Sequence, residues 1–141
     1  MDGKIVGVAM QAKVKAQSIG YIIPTPIIEH FLTDLQDGHY DGFPKVGAQV
    51  QSRGNAALRR SLQLPESETG VYVTQVVPGT SAVGLLKTGD VILDIDNHQL
   101  ANDGTVLLRP GLRVQSDYFV NVHQVGDITS VTVWRNGAKQ A

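Results

Sequence analysis

Residues 70–96, Gly-Val-Tyr-Val-Thr-Gln-Val-Val-Pro-Gly-Thr-Ser-Ala-Val-Gly-Leu-Leu-Lys-Thr-Gly-Asp-Val-Ile-Leu-Asp-Ile-Asp, constrain the fold more than any other stretch of the chain. Gly70–Val77 reads as a strand rich in β-branched residues, and Pro78-Gly79 reads as a turn. Ser81–Leu85 reads as a short helical turn of small residues, and Asp90–Ile95 as a second strand. That second strand is almost uninterruptedly apolar between its acidic ends, the pattern of a strand covered on both faces.

The remaining sequence supplies the covers in two regions. In the first, Lys4–Gln11 reads as a strand, residues 12–18 as a polar loop, and Ile19–Ile23 as a second strand ended by Pro24. Pro24-Thr-Pro26 then opens a helix, with Thr25 as N-cap and Pro26 at the first helical position. Ile27, Ile28, Phe31, Leu32 and Leu35 recur at helical spacing until Gly38. A strand, a strand and a helix cannot bury both faces of this material alone.

The turn-rich His39–Pro44 marks the boundary, which divides the chain into 1–42 and 43–141. Beyond it, Val46–Gln51 reads as a strand, Asn55–Leu62 as a short helix capped by Asn55, and Ser116–Gln124 as a helix closed near Gly126. Ile128–Trp134 alternates as a strand, and Arg135-Asn-Gly137 is a hairpin-type turn. The expected fold is α+β: a partly open β-barrel or sandwich with two helices, preceded by a strand-strand-helix piece. The connection Ala101–Arg113 is longer than it needs to be and carries exposed-looking Leu107, Leu108 and Leu112. It is either a loop with a docking role or an insertion packed on its own domain.

Composition excludes several functions. The 141 residues make one ordinary domain, or a small domain with an appendage. Net charge is −1 and the basic residues are scattered, with only Arg59-Arg60 adjacent, so a nucleic-acid stripe is missing. There is no cysteine, hence no disulfide, thiolate metal site or thiol nucleophile. No apolar run approaches the roughly 20 residues that span a bilayer. The start, Met1-Asp-Gly-Lys4, lacks the form of a signal peptide and reads as a methionine set on the middle of a longer sequence.

The Gly70–Asp96 run resembles the signature of a PDZ domain, a module that binds peptide ends by strand addition. Gly3-Lys-Ile-Val-Gly-Val, followed by Ile19-Gly-Tyr-Ile-Ile-Pro-Thr-Pro-Ile-Ile28, resembles the end of the trypsin-like protease domain of the HtrA/Deg family. There a strand follows the nucleophile loop, and a second strand leads into a helix joining the PDZ domain. The resemblance implies export, to a periplasm or similar compartment, and a role in protein quality control. It also implies an upstream protease domain as partner, peptide or unfolded-protein segments (above all apolar C-termini) as ligands, and no cofactor.

In a PDZ groove a peptide adds to an edge strand, and its carboxylate is held by successive backbone N–H groups. Lys45-Val-Gly-Ala48 is similar to the family's carboxylate loop, although Lys45 replaces an aromatic residue. The anion then falls on the amides of Val46, Gly47 and Ala48, with Gln49, Val50 and Gln51 as groove strand. Lys45 and His123 are accessory candidates. The PDZ pattern places Gln115, Phe119 and Val122 on the groove face of the second helix, at i, i+4 and i+3 spacing. Phe119 and Val122 would build the pocket with Val46 and Ala48, unless they belong to the core. The small Ala48 hints at a bulky or aromatic terminal residue.

Independent chemistry finds no support. His30, His39, His98 and His123 share no ligand spacing and read as surface residues. Asp94-Ile-Asp-Asn97 lacks the glycine and terminal glutamate of a calcium loop and reads as a strand end and turn. No phosphate loop or Gly-x-Ser-x-Gly elbow occurs. The family's Gly-Asn-Ser-Gly-Gly loop would precede Gly3, so no triad can be assembled, and the chain alone is expected to lack proteolytic activity. Two functions compete: a peptide-recruiting module of a serine endopeptidase, and an assembly module that joins protomers as a homo-oligomer with its groove self-filled or unused.

Overall fold

The computed structural model describes residues 3–12, 20–52 and 56–141. The polar loop expected at 12–18 lies almost wholly outside these residues, as does the helix cap expected at Asn55. The chain divides into two compact units. One is Met1–Pro44 with Asn121–Gly126, and the other is Lys45–Val120 with Asp127–Ala141.

In the first unit, β1 (Gly7–Ala12) pairs antiparallel with β2 (Gly20–Pro24), with Gly7 opposite Pro24 and a bulge between Ala9 and Gln11. A Cβ at Gly7 would lie 2.6 Å from the Ile23 carbonyl oxygen, so the close crossing needs glycine there. Helix α1 (Thr25–Asp34) continues as a 3₁₀ turn, Leu35–Asp37, and Gly38 ends it at φ +85°. Pro24, rather than Thr25, occupies the N-cap. The Thr25 hydroxyl is spent elsewhere, donating to the Ile5 carbonyl at 3.2 Å.

One side of α1 holds the boundary segment. His30 is buried, with Nε2 at 3.2 Å from the Gly42 carbonyl oxygen and its ring stacked on Phe43 at 4.3 Å. The Gly42 N–H donates to the buried Asp34 carboxylate at 3.1 Å. His30 is therefore not the surface residue expected of it. A half-polar ring at this spot can both stack and satisfy a carbonyl, which an aliphatic side chain cannot.

The second unit is built on one sheet in the order β10 (Ala138–Gln140), β9 (Val131–Arg135), β5 (Val91–Ile95), β4 (Val71–Val76), β3 (Ala48–Gln51). The short β6 (His98–Gln99) pairs with the end of β5. The sheet stays open, and the fold is α+β of the PDZ type. Strand β5 is covered on both faces, as its apolar run requires. Ile92 and Ile95 join a cluster with Val71, Val73, Leu100, Val106, Phe119, Val120 and Val133. Val91 and Leu93 face a second cluster with Leu64, flanked by Leu62, Tyr72 and Trp134. Each such side chain contributes about 1.5–3 kcal/mol by leaving water.

Several connections differ from expectation. The short helical turn expected at Ser81–Leu85 is a run of tight turns, with the Leu85 and Leu86 N–H groups both donating to the Ala82 carbonyl at 3.1 and 2.9 Å, and Gly84 at φ +86° keeps it from continuing as a helix. Residues 101–113 are largely a β-hairpin: β7 (Thr105–Arg109) pairs with β8 (Leu112–Gln115) around Pro110-Gly111. Helix α2 covers Ala56–Ser61, and α3 covers only Asp117–Asn121. Asp96 and Asn97, at φ +48° and +62°, turn β5 into β6. The Asp96 carboxylate accepts the Ser130 N–H at 2.8 Å.

Beneath the β9–β10 turn, the Asp90 carboxylate, 1% exposed, receives a two-pronged bond from Arg135: Nε to Oδ1 at 2.7 Å and an Nη2 to Oδ2 at 2.6 Å. The Lys87 N–H adds a third bond at 2.7 Å. Asp90 holds the Arg135 guanidinium above its already high ordinary pKa.

Candidate functional site

Strand β3 ends the sheet, and among the described residues no strand lies along its outer edge. Its inner edge pairs with β4, Ala48 opposite Val76 and Gln51 opposite Tyr72, with a bulge after Gln49. Thr74 is the extra residue there, and its hydroxyl donates to the Gln49 carbonyl at 3.1 Å. Gln49, Val50 and Gln51 are exposed.

The loop leading into β3 is held by its glycine. Gly47 adopts φ +73°, and an added Cβ would lie 2.7 Å from Thr80 Cβ, so both conformation and space exclude a side chain. The Gly47 carbonyl accepts the Val77 N–H at 2.8 Å. The Thr80 hydroxyl stands 2.7 Å from the Val77 carbonyl oxygen and 3.3 Å from that of Gly47, and its one proton serves one of them at a time. The N–H groups of Val46 and Gly47 donate to no carbonyl among the described residues. This leaves adjacent donors available at the head of an open strand. Val46 and Ala48 are half-buried against the main core, and Lys45 is exposed.

The helical wall differs from the sequence reading. Gln115 lies on β8 opposite Thr105, not on the helix, because the hairpin absorbs residues up to 115. Phe119 is 8% exposed and belongs to the core, where its ring stacks on His98 at 4.0 Å and meets Tyr118 edge-on at 5.4 Å. Burial in this cluster favours the core reading of Phe119 over the pocket one. Val122 lies just past the end of α3, and it and His123 cluster with the first unit, both half-buried. Sequence spacing missed Tyr118, which is half-buried and packs against the same cluster as Val46 and Ala48.

Among the described residues no group of three or more His, Asp or Glu side chains is placed to hold a metal. No helix among them is long and apolar enough to cross a membrane.

Residues 36–105 match the family model described as PDZ domain. "Protease Do-like 2, chloroplastic" of Arabidopsis thaliana is 38% identical over 139 residues, which cover 96% of this chain and 23% of the relative. "Protease Do-like 4, mitochondrial" of the same organism is 35% identical over 138 residues, covering 97% of this chain and 27% of the relative. The chain belongs to the HtrA/Deg family of Do-like serine proteases. Among solved HtrA structures, "HtrA-type protease AlgW with decapeptide" superposes with a TM-score of 0.62 at 30% identity, covering 98% of this chain and 40% of the other. The chain thus spans about a quarter of the length of the Do-like relatives it matches. Within the family's architecture, β3 and the Lys45–Ala48 loop belong to the PDZ domain.

Proposed function

We propose that the PDZ domain binds an extended peptide as an additional strand on β3 and holds its terminal carboxylate on the amides of Val46, Gly47 and Ala48. The observation that carries this reading is the open β3 edge headed by a loop whose Val46 and Gly47 N–H groups are unused. Gln49, Val50 and Gln51 present the groove strand, Lys45 adds favourable charge, and Val46, Ala48 and Tyr118 receive the last side chain. The solved relative described with a decapeptide supports a peptide ligand. Residues 43–141 form the PDZ domain, and 1–42 are the closing strands and linker helix of a trypsin-like domain, a division supported by the change of unit at Pro44. The parent protein is a serine endopeptidase. The triad lies outside this chain, and the PDZ domain brings unfolded or apolar-ended segments to it. The compartment is non-cytosolic, and the chloroplastic and mitochondrial names of the relatives favour an organelle over the periplasm expected from the sequence.

Titrating the chain with an apolar-ended peptide and its C-terminally amidated twin tests the site. The acid is expected to bind at least tenfold more tightly, with amide shifts at residues 46–51. Equal binding of both, or none of either, rejects it.

One observation favours the rival assembly reading. Ile5, Val6, Met10 and Ile22 in the first unit are 76%, 80%, 63% and 63% exposed. Exposed apolar side chains concentrated in so short a stretch favour burial against a second copy. A dimer that becomes monomeric when residues 1–42 are removed would favour assembly.

A further inference from the structure

Beyond the β3 groove, the second unit carries a hollow at the opposite end of its sheet, of about 490 Å³. Three segments line it and leave it open to solvent: Ser61–Gln63 at and after the end of α2, the Lys87–Asp90 turn, and the β9–β10 connection at Trp134–Gly137. Its volume lies within the roughly 300–1,000 Å³ typical of small-molecule sites. We propose that this hollow is a second ligand site, which takes a small aromatic anion, a carboxylate or a phosphate ester on a flat ring.

Charge sets the sign of the ligand. Asp90 is the sole carboxylate among the lining side chains, and its oxygens are already occupied by Arg135 and by the Lys87 N–H. Against it stand two cations, Arg135 and Lys87, and the Lys87 ammonium makes no ion pair among the described residues. The lining is therefore net positive by one charge. Neither carboxylate of the 65–68 turn, Glu66 or Glu68, is among the lining residues, and Glu68 pairs with Lys139 at 2.9 Å. Arg59, in the last turn of α2, is spent on the Pro65 and Glu68 carbonyls at 2.7 and 3.1 Å, so the free charge at the hollow is that of Lys87.

Shape sets the body. Trp134 is half-buried, and its indole N–H is committed to the Leu62 carbonyl at 2.9 Å, which locks the ring as a wall. A fixed indole favours a flat partner by stacking. Thr88 and Asn136 add hydroxyl and amide groups to the rim. The Arg135–Asp90 pair beneath keeps this geometry rigid.

Trp134 is the only tryptophan of the chain, so its fluorescence reports the site directly. Benzoate, phenyl phosphate and neutral benzamide are titrated into the full chain, with amide shifts mapped in parallel. A saturable change with benzoate or phenyl phosphate, shifting residues 87–89 and 135–137 and absent with benzamide, supports the site. The tighter of the two anions identifies the head group. Lys87→Glu should weaken binding at least tenfold and Lys87→Gln less, and both sit on an exposed side chain that the fold does not need. Equal response to benzamide, indifference to Lys87→Glu, or no saturation at the solubility limit overturns it. None of these outcomes depends on the peptide groove, whose shifts would fall at residues 46–51.

Discussion

Gly47 shows how one residue can decide a loop. Its left-handed φ costs an L side chain about 1–2 kcal/mol, and Thr80 occupies the space a methyl would need. Gly47→Ala should lower stability by at least that amount in urea unfolding. Adding Thr80→Ala should return only a fraction of the loss, because position 80 keeps the Cβ that crowds the new methyl and the backbone strain remains. Arg135 makes the opposite case, in which removal rather than addition does the damage. Arg135→Ala leaves the Asp90 carboxylate buried with one backbone donor, which costs about 3–5 kcal/mol. Domains are stable by only about 5–15 kcal/mol, so calorimetry should show a large fall in Tm. Arg135→Lys should lie between, since an ammonium keeps the charge but loses the fork. The sequence announced Gly47 by its place ahead of a strand. It gave no sign of the Asp90–Arg135 pair, because 45 residues separate partners that meet only when β5 lies beside β9.

At the level of elements, the β7–β8 hairpin is held at its base by side chains. The Asp103 carboxylate accepts the Thr105 N–H at 2.9 Å and its hydroxyl at 2.7 Å, while Arg113 Nε donates back to the Thr105 hydroxyl at 2.7 Å. These bonds, first the Thr105 hydroxyl and then its N–H, with help from Arg113, hold the Asp103 carboxyl below its ordinary pKa of 3.8. A lowered folded value means the contribution is complete above 3.8 and fades as pH falls through the folded pKa. Asp103→Asn should therefore reduce Tm at neutral pH, with the gap to the parent closing at acid pH. A constant gap across the titration would contradict this. The same hairpin explains why Gln115 left the helix. Alternation in Val106-Leu-Leu and Leu112-Arg-Val was too brief to separate from loop, and only the pairing across Pro110-Gly111 made it a strand pair. Helix α3 begins one residue later than expected, at Asp117, and ends three residues earlier, at Asn121, with Phe119 buried and Tyr118 half-buried.

At the scale of the whole molecule, both apolar clusters of buried residues lie in the second unit, and neither includes a described residue from the first 44. A chain of residues 45–141 should fold cooperatively and keep the β3 edge. Residues 121–126 cluster with the first unit, so hydrogen exchange in the shortened chain should find them unprotected while the sheet stays protected. Loss of folding would show that the core is not self-sufficient. The amino-acid sequence alone determined the strands at 70–77 and 90–95, the turn residues that take left-handed backbone, and the family to which they belong. Those features are local: periodicity, proline and glycine act on their own neighbours. Only the tertiary structure decided that β3 lies at an edge of the sheet, that Phe119 is buried and Tyr118 half-buried, that His30 is buried, and that a hollow forms beside Trp134 and Lys87. Each of these depends on which distant segments share a surface, and burial is a property of that surface rather than of the residue type.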